Sequence, residues 1–261
     1  MSITKAAIGI LYHIHEKQYS RNDYLPGGLC RVGDALNMRS GFSDECWDYF
    51  DFRDKVEKDN DMMEYALKEL RKASHSRTKM EYNNLIYQVL ACNMTDVATK
   101  FGRWMEDVGE MIEEVEYYDD AKHVLYYMKG KGWKWEHTKS GQALGPHGLW
   151  MTTEFAQKFA EASYSHVMSM SLKQRQPIGN YVWNGIGKEN FKYYWNGWWF
   201  SENCAYAVGY VVQVVALCPN GCYIQLYEED WENPLDENRS DEKWNFIKNI
   251  EKQQKVKKMK L

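Results

Sequence analysis

The sequence predicts an α+β protein, with a helix-rich N-terminal half packed on a mainly antiparallel, hairpin-built sheet from the C-terminal half. Three observations lead there. Between residues 61 and 128, apolar side chains recur every three or four positions with charges between them, the spacing of a helix face. Beyond Gly130 the pattern changes to short aromatic and β-branched runs separated by Asn-Gly and Pro-Asn-Gly turns. The composition is globular: 261 residues, 44% hydrophobic and 27% charged, enough to bury a core and too apolar to stay unfolded. One compact domain over 1–261 is expected, with a division into a helical region, 1–128, and a β-rich region, 129–261, as the alternative.

Taken in order, residues 3–18 fit a helix or a buried strand equally well, and Pro26-Gly27-Gly28 breaks the chain. A helix follows Asp61, with Met62, Met63, Ala66, Leu67 and Leu70 on one side. A second covers roughly Met80 to Cys92. A third opens with Thr95 as N-cap, runs through Val97, Phe101, Trp104, Val108, Met111, Ile112 and Val115, and continues or restarts from Ala121 to Met128. Leu149-Trp150-Met151 leads into a helix over Phe155 to Met170, capped by Thr152 or Thr153. Trp183-Asn184-Gly185 and Trp195-Asn196-Gly197 carry the dipeptide that best tolerates a type I′ hairpin turn. Tyr210 to Leu217 reads as a central strand, which Pro219-Asn220-Gly221 turns into Cys222 to Tyr227. A last helix begins near Asp241 and aligns Trp244, Ile247 and Ile250. The segments 148–156 and 197–205 echo one another, each reading as strand, hydroxyl cap, helix.

A formal charge of −4 excludes a general attraction to nucleic acid or anionic membranes. No run of 18 apolar residues suits a membrane span, so no membrane partner is expected. Six scattered cysteines with no leader before them predict a cytoplasmic chain with free thiols. Cys218 and Cys222 should meet as packing thiols across a hairpin mouth.

Four groupings carry candidate chemistry. Eight acids fall between Glu106 and Asp120. On a helix Glu106, Glu110 and Glu114 would share a face, either solvated or neutralised by a divalent cation. The pairs Glu110-x-x-Glu113 and Glu116-x-x-Asp119 resemble those of the all-α NTP pyrophosphatases, a likeness that implies magnesium held against a triphosphate. Asp120-x-x-His123 resembles half of a di-iron site, and His13-x-His15 would share a face only in a strand; no complete metal ligand set is assigned.

The stretch 129–139 interleaves Lys131 and Lys134 with Trp133 and Trp135. Cations beside flat rings bind phosphate and stack a base, and Trp150 extends the aromatic lining. The bland alternative is a hairpin with one ring face buried. Finally, Leu11-Tyr12-His13, the hydroxyl junctions at Thr152 and Ser201, and Gln225-Leu226-Tyr227-Glu228 follow an order that resembles the ADP-ribosyltransferases. That resemblance implies that His13 grips NAD, that Thr152 or Ser201 is the central hydroxyl, and that Glu228 or Glu229 stabilises the ribose cation.

No Gly-x-Gly-x-x-Gly, Walker lysine loop, Gly-x-Ser-x-Gly or His-Glu-x-x-His occurs. The leading expectation is an intracellular transferase acting on NAD, a nucleotide or nucleic acid, with NAD as candidate cofactor, and magnesium if the acidic helix is functional. A non-catalytic protein-binding or inhibitory protein using an aromatic surface is the rival, with a protein partner. A metal-dependent pyrophosphatase comes third.

Overall fold

The computed structural model describes residues 3–73, 80–106, 114–120, 123–129, 132–179, 191–209, 213–225 and 240–258. The first helix, α1 (Ile3–Ile14), buries every position from Ile3 to Tyr12. A helix apolar on all sides belongs in the middle of a protein. The helix-or-strand ambiguity is thereby settled, and His13 and His15 do not share a face.

Helices α2 (Val32–Leu36), α3 (Tyr49–Glu57), α4 (Met62–Leu70), α5 (Asn84–Asn93) and α6 (Val97–Trp104) complete the helical half. The starts of α3, α4 and α5 carry side-chain caps. Asp48 accepts from the Asp51 amide, Asp61 from Met63 and Glu64, and Asn83 from Ile86. Asp96, not Thr95, stands at the start of α6.

The long third helix is not formed. The α6 helix stops at Trp104, and Glu106 takes a left-handed φ of 54° that cannot continue it. Residues Glu114–Asp120 and His123–Lys129 are strands β1 and β2 of an antiparallel hairpin, with Asp120 opposite His123. Tyr117, Tyr118, Val124, Tyr126 and Tyr127 favour a strand, and a pleated backbone avoids stacking acids at i, i+4. Glu110 and Glu113 lie outside the described residues.

Strands β3 (Trp133–Trp135) and β4 (Leu149–Met151) form a second small hairpin, and β4 leads into α7 (Thr153–Met168). Thr152 caps α7 by accepting from the Phe155 amide at 3.3 Å. Thr152→Ala should therefore lower stability by about 1 kcal/mol, measured by urea unfolding.

The main sheet is antiparallel throughout. It is built from β5 (Gln176–Pro177), β6 (Tyr193–Trp195), β7 (Trp198–Phe200), β8 (Ala205–Val208), β9 (Val214–Cys218) and β10 (Gly221–Gln225), in the order β10-β9-β8-β7-β6-β5. At the β6–β7 turn Asn196 (φ 47°) and Gly197 (φ 87°) both take positive φ, the type I′ geometry that Asn-Gly predicts. The parallel Trp183-Asn184-Gly185 turn lies outside the described residues.

The α7 helix packs on β9 and β10, and α1 is enclosed by α5, α6, α7 and β8. The last helix, α8 (Ser240–Lys258), buries Ile247 and Ile250. The apolar core is continuous from Ile3 to Ile250.

Two expectations fail here. The 197–205 echo is strand, turn, strand: Ser201 accepts from the Asn203 and Cys204 amides and reverses the chain into β8 instead of starting a helix. Nor are all cysteines free. Cys204 and Cys218 form a disulfide across β8 and β9, while Cys30, Cys46, Cys92 and Cys222 remain thiols. Cys222 stands opposite Leu217, so it faces away from Cys218.

Candidate active site

The chemistry gathers at the N-terminal end of α1. Lys5 is only 1% exposed. Its ammonium donates to the Pro146 carbonyl at 2.9 Å and lies 5.2 Å from the Tyr82 ring centroid and 5.9 Å from that of Tyr87. Burial strips the amine of water and lowers its pKa to about 7, against a smaller opposing pull from the Asp44 charge. Residues distant in sequence make this environment. Tyr82 comes from the approach to α5, Pro146 from the loop before β4, and Trp199 of β7 stacks on Tyr82 at 6.2 Å with planes 14° apart.

Asp44 occupies a 3-10 turn, Asp44–Cys46, from which its charge acts on this amine. Its Oδ1 accepts the Asn84 amide at 2.8 Å and its Oδ2 the Asn84 side-chain Nδ2 at 3.0 Å. Burial raises the Asp44 carboxyl to about 6, opposed by the Asn84 bonds and the Lys5 charge. Asn83, buried between them, ties the two segments together. Its Oδ1 caps α5, and its Nδ2 donates to the Ser43 carbonyl at 2.7 Å.

His147 backs the cluster, enclosed by the rings of Trp47, Tyr49 and Phe52. Burial first, then the charges of Arg53 and Lys5, hold it well below the ordinary histidine range, so it is neutral. Its Nε2 has no hydrogen-bond partner among the described residues.

The residues singled out from sequence lie elsewhere. His13 packs edge-on against His166 and Trp195. Thr152 caps the opposite end of the helix that carries His166, about 21 Å away at 1.5 Å per residue. Ser201 is buried, donating to Glu251 of α8 at 2.5 Å, where Tyr206 also donates. His13 and Thr152 therefore do not share a cleft.

Trp133 and Trp135 are buried against Phe101, and Trp135 donates to the Leu144 carbonyl. Trp150 reaches Glu136 at 3.4 Å, across the β3–β4 ladder from Lys134. Lys131 and Glu228 lie outside the described residues. A groove of about 450 Å³, with Ile14, His15, Lys100, Arg103 and Trp104 in its walls, opens near the far end of α1, away from Lys5.

Sequence reasoning missed Lys5, Tyr82, Asp44 and Asn84. The available signal was Ser2-Ile3-Thr4-Lys5, a Ser-x-x-Lys spacing hidden at the head of an apolar run. Ser2 lies outside the described residues.

The fold is penicillin-binding-protein-like. Two solved structures carry this likeness, the penicillin binding protein from Bacillus halodurans and the octameric penicillin-binding protein homologue from Pyrococcus abyssi. Each superposes with a TM-score of 0.51 at 14% identity over 84% of this chain. The matched region is 76% of the first protein and 58% of the second. At that identity the likeness shows the fold alone. No protein-family model and no curated protein sequence matches the chain.

This fold, with the placements above, overturns the expectation of a transferase acting on NAD or a nucleotide. Trp133 and Trp135, meant to stack a base, are core residues, and Trp150 is half-buried beside Glu136. The pyrophosphatase reading falls because 114–120 is a strand and, among the described residues, no three His, Cys, Asp or Glu side chains gather to hold a metal. The cytoplasmic expectation is overturned as well. The fold is shared with penicillin-binding proteins, and a Cys204–Cys218 disulfide belongs to an oxidising compartment. Among the described residues no helix is long and apolar enough to cross a membrane.

Proposed function

We propose that the chain is a serine acyl-transfer enzyme that opens an amide or ester through an acyl-enzyme on Ser2, with Lys5 as the base. The state of Lys5 carries the reading. An ordinary lysine is protonated at neutral pH and cannot accept a proton. A buried one with a pKa of about 7 is half neutral there, the condition for an efficient general base.

Ser2 stands three positions ahead of Lys5, the spacing at which penicillin-binding proteins place the nucleophile and its lysine. The serine hydroxyl proton passes to Lys5 Nζ as Oγ bonds to the carbonyl carbon. When the C–N or C–O bond breaks, that proton goes to the leaving group, with Tyr82 beside Lys5 as the relay. Water then cleaves the ester by the same route and restores Ser2. Asn84, held through both its nitrogens by Asp44, keeps its Oδ1 for a substrate N–H. The disulfide and the penicillin-binding-protein-like fold support an extracytoplasmic setting.

A fluorescent penicillin and p-nitrophenyl acetate are the probes. Both should acylate the protein, and mass spectrometry should place the adduct on the peptide containing Ser2. Ser2→Ala should stay unlabelled. If neither probe labels the folded protein between pH 6 and 9, or if the adduct maps to another side chain, the proposal fails.

A further inference from the structure

We infer that Asp44 is a positioning residue, whose carboxylate clasps Asn84 at two points, so that it orients the amide while its charge favours the ammonium form of Lys5. The inference rests on Lys5 being the base. The clasp exceeds what the start of α5 needs. Asn83 already caps that helix through the Ile86 amide, so the Asp44 bond to the Asn84 backbone is a second tie at the same terminus. The bond to Asn84 Nδ2 caps nothing; it fixes which way the side-chain amide points.

The turn carrying Asp44 is itself held. Asn83 Nδ2 donates to Ser43 O at 2.7 Å and to Phe42 O at 3.4 Å. The carboxylate therefore cannot follow if Asn84 swings.

The second half of the inference is electrostatic. Among the described residues, the charged and titratable groups around this pair include Tyr82 and Tyr87 beside Lys5, Cys46 on the Asp44 turn, and His147, on which the charges of Lys5 and Arg53 both act. Of these, Asp44 brings the negative charge that favours protonated Lys5, while His147 is neutral. Removing that charge must let Lys5 lose its proton at lower pH.

The test is Asp44→Asn in the full chain. The carboxamide can still accept one bond from Asn84 but presents its own N–H groups where the second acceptor stood, so the Asn84 amide turns over. Two changes are expected. The Lys5 titration, followed by the ¹³Cε resonance, should move to lower pH by on the order of one unit, and the acid limb of the acylation rate should move with it. KM for an amide substrate should rise about tenfold while the melting temperature changes little.

A fall in melting temperature with both the Lys5 titration and KM unmoved would make Asp44 a helix cap and overturn the inference. The resonance does not require activity. If it shifts while the wild type is never acylated, the Asp44–Lys5 linkage stands and the acyl-transfer reading alone falls. Should the variant not fold, the wild-type resonance decides: a second inflection near pH 6, where Asp44 titrates, supports the linkage, and a single-step curve refutes it.

Discussion

Lys5→Met is expected to fold at least as stably as the wild type and to lose acyl transfer by about 10²- to 10⁴-fold, the range for removing a general base. Methionine matches the length of the lysine stem and suits the apolar surroundings that lower its pKa. The lost bond to the Pro146 carbonyl is worth about 1 kcal/mol. Burying the charged amine costs more than that whenever the lysine is protonated.

The pH dependence follows from the direction of the shift. The folded pKa is about 7, below the ordinary 10.5. Between those values the unfolded chain holds the proton that the folded chain has lost, so this group makes wild-type stability rise as pH climbs from 7 toward 10.5. Below pH 7 the amine is charged in both states and its burial opposes folding in full. Melting curves from pH 6 to 10 should show this rise in the wild type and a smaller one in Lys5→Met, where buried Lys243, lowered to about 8, still contributes. In the wild type, acylation should increase through pH 7 as the amine becomes neutral. A variant that melts lower than the wild type yet still turns over would make Lys5 a structural hydrogen-bond donor instead.

What could be seen in the sequence depended on whether the deciding contacts were local. The α4 and α7 helices declare themselves, because Asp61 and Thr152 cap them within three residues and their apolar positions recur on one face. So does the β6–β7 hairpin, because Asn196-Gly197 fixes the turn by its own backbone preference. The β1–β2 hairpin was hidden: helical spacing of Val108, Met111, Ile112 and Val115 competes there with a run of tyrosines, and only the partner strand decides. The disulfide was hidden too, since Cys204 meets Cys218 only once β8 and β9 are in register.

The site was the least visible. Lys5 sits in a run that buries from Ile3 to Tyr12, and its one unusual property, a depressed pKa, is conferred by side chains and carbonyls far along the chain. Tryptophan misled in the opposite sense. The same rings can line a cleft or fill a core, and composition does not separate the two. Trp198 and Trp199 are among the largest fully buried side chains, and only Trp199, through Tyr82, approaches the chemistry.

Gly9→Ala should be the most damaging single methyl group that can be added to α1. A Cβ on Gly9 would lie 1.9 Å from the Asn196 carbonyl oxygen and 2.5 Å from its carbon, with backbone on both sides of the clash. Neither side can yield cheaply. Asn196 is fully buried and held from three directions: its Nδ2 donates to Gly9 O at 3.0 Å, its Oδ1 accepts from Arg21 at 2.9 Å, and its amide donates to Asn37 Oδ1 at 3.3 Å. The helix must move instead. The next turn residue blocks a simple slide, because Gly197 already presses on α1, where an added Cβ would lie 2.4 Å from the Lys5 carbonyl oxygen.

Overpacking of this kind costs about 3 kcal/mol or more when backbone is displaced. That corresponds to a melting temperature lower by roughly 6 °C or more for a chain of this size. The same displacement carries Lys5 away from Tyr82 and Pro146, so acylation by p-nitrophenyl acetate should fall even at temperatures where the variant is folded. Calorimetry and the acylation assay read the two effects separately. A Gly9→Ala protein with unchanged melting temperature would mean that α1 and the β6–β7 turn do not meet backbone to backbone. A destabilised protein with unaltered acylation would mean that the position of Lys5 does not depend on that contact.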